Sequence, residues 1–468
     1  MIKFKYLYIA SFIVLLGFSS CNDWLDVQPK TELKQEELFT TEQGFEEALR
    51  GAYVSMTDPA TYGREMTIGT LSVMGADYSV ASSSQNANLY LPPVESFNYE
   101  FAQLKSAIGQ IWVQQYNGIA LLNNILEQID NKRSVFSNNS YNRIKGEALA
   151  LRAYLHFDLM RMFAPSYLHK DDKAYLPYVK QYGRENTPLS GMEEYVGLLL
   201  KDIEDAEVLL KDDVVTGLLP VDRKIRMNRV ATKGLKARVM LYIGNTGEAH
   251  KLAMEIIDAK EIQLRQANYD IRLDRTIHSE HLFSLYSDKF EERVLELVSP
   301  KLGIQTVAPY YFTTEDKLKN EIFLGKSTDI RYKEPMMLRH MNVLAPHKFI
   351  YPDVESTTRG VQRFYIPLMK VSEMYYIAAE TAPTKEEGIR LLNLVTANRG
   401  LLPLPNTADL NLEIQQEYRK EFFTEGQTFF YYKRLATRRI AGGALPQMTK
   451  EDYVFPMPED EVIYGSRN

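Results

Sequence analysis

Apolar residues recur every three or four positions along much of this 468-residue chain, and that spacing most limits what it can fold into. From Leu104 the stripe runs through Ile108 and Ile111 to Leu122, Leu126 and Ile129. The next reads Ile144, Ala148, Leu151, Leu155, Leu159 and Met162, and a third runs from Met192 through Tyr195, Leu199, Ile203 and Ala206 to Leu210. Steps of three and four place each set on one face of an α-helix, and such a face needs another element to bury it. A tighter unit follows. Val230, Gly234, Ala237 and Leu241 line one helix, Gly244-Asn245-Thr246-Gly247 turns the chain, and Ala249, Leu252, Ile256 and Ala259 line the return. Asn228 to Lys260 is 33 residues, close to the ~34 of a tetratricopeptide unit. The small residues Gly234 and Ala237 are expected to let the paired helix approach closely. Ile366 to Gly400 repeats the plan, with Leu368, Val371, Tyr375 and Ala378 before a break at Ala382-Pro383-Thr384, then Ile389 and Leu392.

The expected fold is mainly α: tetratricopeptide-like helix pairs forming a scaffold, with long irregular loops and a few short strands. Two stretches lack any sustained period, Asp58 to Phe101 and Glu261 to Tyr365. Loops this long in a compact body tend to be functional or disordered, and the tyrosines and phenylalanines in these two argue for order. The expected organisation is a helical part over 46–260 and a second part over 261–468, packed together as one body.

The start of the chain reads differently. Lys3 and Lys5 precede an apolar run from Tyr6 to Phe18, then come Ser19, Ser20 and Cys21, the only cysteine. A basic start, an apolar run shorter than the ~20 residues that span a bilayer, and small residues before a cut site are features of a secretory signal. With a thiol at the new first position, the pattern resembles the bacterial lipobox, with Phe18 where Leu is usual. The expectation is a lipoprotein signal peptide over 1–20 and a lipid-anchored segment over 21–45, with Cys21 the lipidated residue. An ordinary signal with an incidental cysteine is the plainer alternative. One cysteine allows no intrachain disulfide and no zinc-type cysteine cluster. With 55 basic against 61 acidic residues and a net charge of -6, nothing marks a nucleic-acid binder. Neither a metal nor a cofactor is expected.

Further motifs carry a family resemblance. "CNDWLDVQPK" after Cys21's signal, then "IWVQQYNGIALLNNILEQI", "GEALALRAYLHFDLMRMFA" with Arg152-Ala153-Tyr154 and Phe157-Asp158-Leu159, "ATKGLKARVMLYIGN", "YIPLMKVSEMYYIAAE", "LNLVTANRGL", "EYRKEFFTEGQ" and "YVFPMPEDEV" follow one another along the chain. In that order they resemble the SusD/RagB family of outer-membrane lipoproteins of Bacteroidetes-type bacteria. One departure lies after Glu425-Gly426, where the family has an Arg and an Asp-Leu before its Lys-Arg and this chain reads "QTFFYYKRL". The resemblance implies a non-catalytic binding protein, anchored to the outer membrane and facing the cell exterior. Such a protein captures oligosaccharide, or in some members peptide, and docks as a lid on a TonB-dependent (SusC-like) transporter. Asp23 and Asp26 are compatible with that group's surface-export signal.

A glycan site needs flat aromatic faces for the apolar faces of sugar rings and amides, carboxylates or guanidinium groups for the hydroxyls. The 58–101 stretch supplies Tyr62, Arg64, Asp77, Tyr78, Asn86, Asn88 and Tyr90, and the second irregular stretch supplies Tyr310 and Tyr311 with Asp329 and Arg331 in a "DIRY" that matches the family. The candidate ligand residues are therefore Tyr78, Tyr90, Arg64, Asp77, Asn86, Tyr310 and Tyr311, with Tyr78 and Tyr90 as stacking platforms. For each aromatic the alternative is packing of the loop onto the scaffold. Trp112 reads as core, and Trp24 as packing in the anchor segment.

Enzyme signals are poor. "LGKST" at 324–328 has Asn320 where a phosphate loop needs its first Gly, and no Gly-x-Ser-x-Gly or His-Glu-x-x-His occurs. His278 and His281 are three apart and read as a solvent-exposed pair rather than metal ligands. Glu193-Glu194 and Glu386-Glu387 fall at expected helix starts, where the dipole favours them. A protein-only interaction scaffold and a glycoside hydrolase remain as alternatives; carboxylate separation, which decides the latter, is a property of space rather than sequence.

Overall fold

Each apolar stripe meets the next along the chain. In the computed structural model, which describes residues 37–79, 90–215, 223–268, 270–271, 274–298, 311–333, 338–340, 343–345, 347–351 and 362–465, helix Glu42–Met56 packs on Ala102–Ile129, and that helix packs on Ser140–Phe163. Ser140–Phe163 packs in turn on Met192–Leu209, and Arg229–Tyr242 packs on Thr246–Ala259. The array continues beyond a long excursion, because Thr246–Ala259 packs on Val371–Glu380, which packs on Lys385–Ala397. The expected helix pairs form, and their stripes are the buried faces: Leu104, Ile108, Ile111, Leu122 and Ile129 are each 1 % exposed or less. Trp112 lies in the same core, edge to face with Phe163 at 4.9 Å between ring centroids. One cluster of buried apolar side chains runs from Phe39 to Phe455. Cys21, Trp24, Asn86, Asn88 and Tyr310 lie outside the described residues.

Helix ends follow local chemistry. Asn228 caps Arg229–Tyr242 by accepting from the Ala231 amide at 2.9 Å, and Thr384 caps Lys385–Ala397 by accepting from Glu387 at 3.2 Å. Such caps contribute about 1 kcal/mol each. The pairs Glu193-Glu194 and Glu386-Glu387 occupy first turns.

Two expectations are corrected here. Ile366 to Lys370 is not helix. Tyr365–Lys370 is a fully buried strand paired antiparallel with His281–Tyr286, and the helix starts only at Val371. The reason is Pro367, whose ring biases Ile366 to extended backbone and which has no amide to give a helix. Second, Gly234 does not serve the approach of its paired helix. A Cβ there would lie 2.9 Å from Met369 Cε and 3.1 Å from Leu282 Cδ1, so glycine lets that helix sit directly on the strand pair.

The stretch from Asp58 to Phe101 is ordered wherever it is described. Residues 57–69 form a ladder of tight turns, with Thr61, Gly63 and Glu65 amides returning to Asp58 and Pro59 carbonyls at 2.9–3.1 Å. Short helices Thr70–Met74 and Leu91–Glu95 follow. Gly426, at φ +72°, closes this region, where a Cβ would fall 2.3 Å from the Met66 carbonyl oxygen. The 261–365 excursion carries helix Phe290–Val298, a π-helical turn Lys317–Ile322 and the strand pair Leu338–His340 with Val343–Ala345.

The family-like motifs turn out to supply buried charges that join elements. Arg238 grips Glu373 through two bonds of 2.6 Å. Arg152 grips Asp202 at 2.7 Å twice. Arg399, fully buried, binds Glu280 at 2.6–2.8 Å and Glu421 at 3.0–3.1 Å. Asp329 and Arg331 belong to the same network, with Arg331 bound to Asp329, Glu417 and Glu421 at 2.7–2.9 Å. Both are buried, so "DIRY" is structural and its reading as ligand chemistry is corrected. The His278/His281 pair is also not solvent-exposed. His281 is buried on a strand, its Nε2 donating to the Thr276 carbonyl at 3.0 Å and its Nδ1 facing Ser284 Oγ at 2.6 Å.

Candidate functional site

The turn ladder, the start of the long Ala102–Ile129 helix and the Phe290–Val298 helix enclose a cleft of about 570 Å³. From the ladder come Arg64 and Glu65, from the N-terminal side of the next helices Tyr90, and from beyond the excursion's helix Tyr311. Opposite them Ala102–Ile129 contributes Gln103, Ser106 and Gln110. Their spacing of three and four puts them on the helix face away from Leu104, Ile108 and Ile111, so one stripe faces the core and the other the cleft.

Arg64 and Glu65 are a matched pair. Arg64 Nε donates to Glu65 Oε1 at 2.6 Å, and Glu65 Oε2 accepts from the Thr70 hydroxyl at 2.5 Å and its amide at 3.2 Å. Both Glu65 oxygens are thereby engaged, while the Arg64 side chain is 40 % exposed and lines the cleft. Burial acts to lower the Arg64 pKa, and the Glu65 charge and hydrogen bond, with Tyr311 and Tyr90 adding to them, together raise it, so the guanidinium is held charged. Tyr90 OH sits 2.9 Å from the Thr70 hydroxyl, which fixes the ring's edge and leaves a half-buried face on the cleft. Burial, with the Glu65 charge adding to it, pushes the phenols of Tyr90 and Tyr311 above their ordinary range. Both remain protonated at neutral pH.

Three of the residues singled out in the sequence, Arg64, Tyr90 and Tyr311, thus meet in one cleft from two distant stretches, although Tyr311 is 4 % exposed and forms its floor rather than an open ring face. Tyr78 does not present a ring as expected. It is 2 % exposed, donates its hydroxyl to the Ile68 carbonyl at 2.7 Å and supports Tyr311 from behind. Tyr62 is buried too, donating to Asp158 at 2.6 Å. Asp77 is buried beneath the ladder, where it accepts the Thr424 amide at 2.8 Å; burial raises its carboxyl to about 7. The cause of all three corrections is the same: the turns wind this segment inward, and small neighbours in sequence do not expose a ring when the backbone is coiled. Gln103, Ser106, Gln110, Glu65, Glu296 and Leu297 were not singled out. The only sequence signal for the first three was the polar side of an amphipathic helix, which solvated faces share. Among the described residues no group of three His, Cys, Asp or Glu side chains is placed to hold a metal ion, and no helix is long and apolar enough to cross a membrane.

Comparison with known proteins agrees with this architecture. Residues 23–241 match the SusD-like family described as "Starch-binding associating with outer membrane". SusD-like protein P2 of Formosa agariphila is 24 % identical over 278 residues, a match covering 58 % of this chain and 48 % of that protein. The chain therefore matches about half the length of that curated relative. Among solved structures, a SusD-like carbohydrate binding protein from Bacteroides vulgatus superposes with a TM-score of 0.72 at 18 % identity, covering 91 % of this chain and 97 % of the other. A SusD superfamily protein from Bacteroides thetaiotaomicron gives 0.69 at 20 % identity, covering 91 % and 98 %. The fold is that of a helix-pair scaffold carrying its candidate site on inserted segments. Over residues 23–241 this chain is similar to the SusD-like family, and it shares the fold of those solved structures.

Proposed function

We propose that this protein captures an oligosaccharide in the Arg64–Tyr90–Tyr311 cleft without cleaving it, and passes it to a partner TonB-dependent outer-membrane transporter of the SusC-like kind. The observation that carries the reading is the meeting of the half-buried Tyr90 ring and a half-exposed guanidinium, over a floor made by the buried Tyr311, across from Gln103, Ser106 and Gln110 in one cleft. Its volume of about 570 Å³ falls within the ~300–1,000 Å³ of small-ligand sites. The Tyr90 ring covers a sugar face, and the amides, hydroxyl and guanidinium meet sugar hydroxyls as donors and acceptors. Support also comes from the family's description and from the naming of a structural relative as a carbohydrate binding protein.

A binding rather than a hydrolytic role follows from Glu65. Glycoside hydrolysis needs one carboxyl to give a proton and a second free to attack or to activate water. Both Glu65 oxygens are already taken by Arg64 and Thr70, and the other acid lining the cleft, Glu296, stands exposed on its helix. The same reading places a lipid anchor at Cys21 and the protein on the outer face of the outer membrane. Affinity electrophoresis through gels containing starch, laminarin, xylan, mannan or pectin tests the capture step. Retardation in at least one gel, with no reducing sugar released, is expected. Release of sugar, or free migration in every gel, overturns the reading. Recovery of a large β-barrel with the protein in mild detergent tests the transfer step.

A further inference from the structure

A second hollow lies at the opposite end of the Ala102–Ile129 helix, beside Glu127, where residues 178–188 leave and re-enter a two-stranded ribbon, Ala174–Pro177 against Leu189–Gly191. The first half of this excursion is clamped by buried side chains. The Val179 carbonyl accepts Asn123 Nδ2 at 3.0 Å and His156 Nε2 at 3.2 Å, and the Gln181 carbonyl accepts Asn123 Nδ2 at 3.3 Å. Lys180's carbonyl faces Arg152 Nη1 at 3.5 Å, and the Tyr182 amide donates to Glu127 Oε1 at 2.6 Å. Tyr178 stacks on His156 with centroids 3.9 Å apart and donates its hydroxyl to Asp202 at 2.7 Å, the carboxylate that also holds Arg152. Arg152, Asn123, His156 and Asp202 are all buried. The Arg152-Ala153-Tyr154 motif therefore fixes the shape of a surface edge.

That edge presents Tyr182, 44 % exposed, over a cleft of about 610 Å³. Lys180, Arg184, Glu185 and Asn186 line the same cleft, and among the described residues no hydrogen bond or ion pair engages their side chains. An exposed ring on a backbone held in place, surrounded by unengaged donors and acceptors of both signs, is the chemistry of saccharide contact. The two cations are matched by Glu127 and Glu185, which leaves no net field to draw a polyanion. Rigidity matters because a site that is ordered before binding spares the ligand that cost.

We propose that this cleft is a second saccharide-contact site, taking one sugar ring of a polysaccharide on the Tyr182 face. The proposal rests on the reading that the protein binds glycan, but not on the location of the first cleft. The five-polysaccharide gel panel, run with wild type, Tyr90→Ala, Tyr182→Ala and Tyr182→Phe, tests it. Tyr182→Ala is expected to weaken retardation several-fold in at least one gel that retards wild type, with Tyr182→Phe retaining it and the melting temperature unchanged in both. Wild-type migration of Tyr182→Ala in every gel overturns the proposal. If Tyr90→Ala is silent and Tyr182→Ala is not, the first cleft fails and this one stands; the reverse pattern removes this one alone. Free migration of wild type in every gel removes both.

Discussion

Tyr78 meets Tyr311 edge to face, with ring centroids 5.1 Å apart and planes at 79°. Both rings are buried, Tyr78 beneath the turn ladder and Tyr311 at the floor of the cleft, so the second owes its position to the first. Tyr78→Ala is expected to remove about 3–5 kcal/mol of folding stability, as truncation of a buried aromatic does. Tyr78→Phe keeps the ring and loses one hydroxyl bond to Ile68, about 1 kcal/mol. Urea denaturation of the two variants checks the order; equal stability of Tyr78→Ala and wild type contradicts the packing described.

Tyr90 has the opposite balance. Its hydroxyl is fixed at Thr70 and its ring borders the cleft. Truncating a binding-site aromatic commonly costs more than ~1 kcal/mol and at times more than ~2, and each 1.4 kcal/mol is about tenfold in affinity. Tyr90→Ala should weaken binding of the cognate oligosaccharide several-fold to tens-fold, while Tyr90→Phe binds nearly as wild type. Calorimetric titration decides this.

Asp77 gives a pH dependence whose sign is fixed. Burial raises its carboxyl from 3.8 to about 7, so between those values the folded chain holds a proton that the unfolded chain has released. Stability from this group is full below pH ~4 and is lost as pH rises through about 7, by up to ~1.4 kcal/mol per pH unit. Asp77→Asn should therefore gain on wild type as pH rises from 5 to 8, measured by urea midpoints. His156 works in the other direction. Burial lowers it from 6.5 to about 3, so its contribution is lost as pH falls below 6.5. A constant gap between Asp77→Asn and wild type across this range refutes the assignment.

Arg399 joins Glu280 to Glu421 with no exposure to solvent. Removing one partner of a buried ion pair leaves an uncompensated charge and costs about 3–5 kcal/mol. Arg399→Met is expected to lose that much, and Arg399→Lys most of it, because an ammonium cannot span two carboxylates as a planar fork does. Thermal melts measure the loss.

The proposed anchor predicts that Cys21→Ala yields protein without an acyl label that no longer fractionates with outer membrane. Unchanged membrane attachment, with no acyl label in wild type, removes the lipid anchor from the reading.

The helices were legible because their stripes are long: Leu104 to Ile129 and Ile144 to Met162 repeat often enough for one face to be unmistakable. Tyr365–Lys370 was not, since six buried residues have no period and only Pro367 spoke against a helix. The site was half legible. Arg64, Tyr90 and Tyr311 were chosen for their chemistry, and the fold brings them together. Tyr78, Asp77, Asp329 and Arg331 were chosen by the same criterion and are buried, because polar residue types do not tell whether their partner is a ligand or the protein itself. Asp329 is held by Arg331 two residues on, and Arg331's further partners are Glu417 and Glu421, some ninety positions away.

The pairing of His281–Tyr286 with Tyr365–Lys370 has a consequence for how such a protein can diversify. Tyr286 and Tyr365 are register partners, so residues 287–364 depart and return at neighbouring points, while Arg331 within them is tied to Glu417 and Glu421. Closing a longer loop there costs only ~0.6 kcal/mol per doubling of length. Yet that span supplies Leu297 and Tyr311 to the cleft wall. New ligand preference can be acquired by rewriting the cleft-lining part of one inserted span, so long as the ties of Arg331 to Glu417 and Glu421 are kept behind a clasp of two strands.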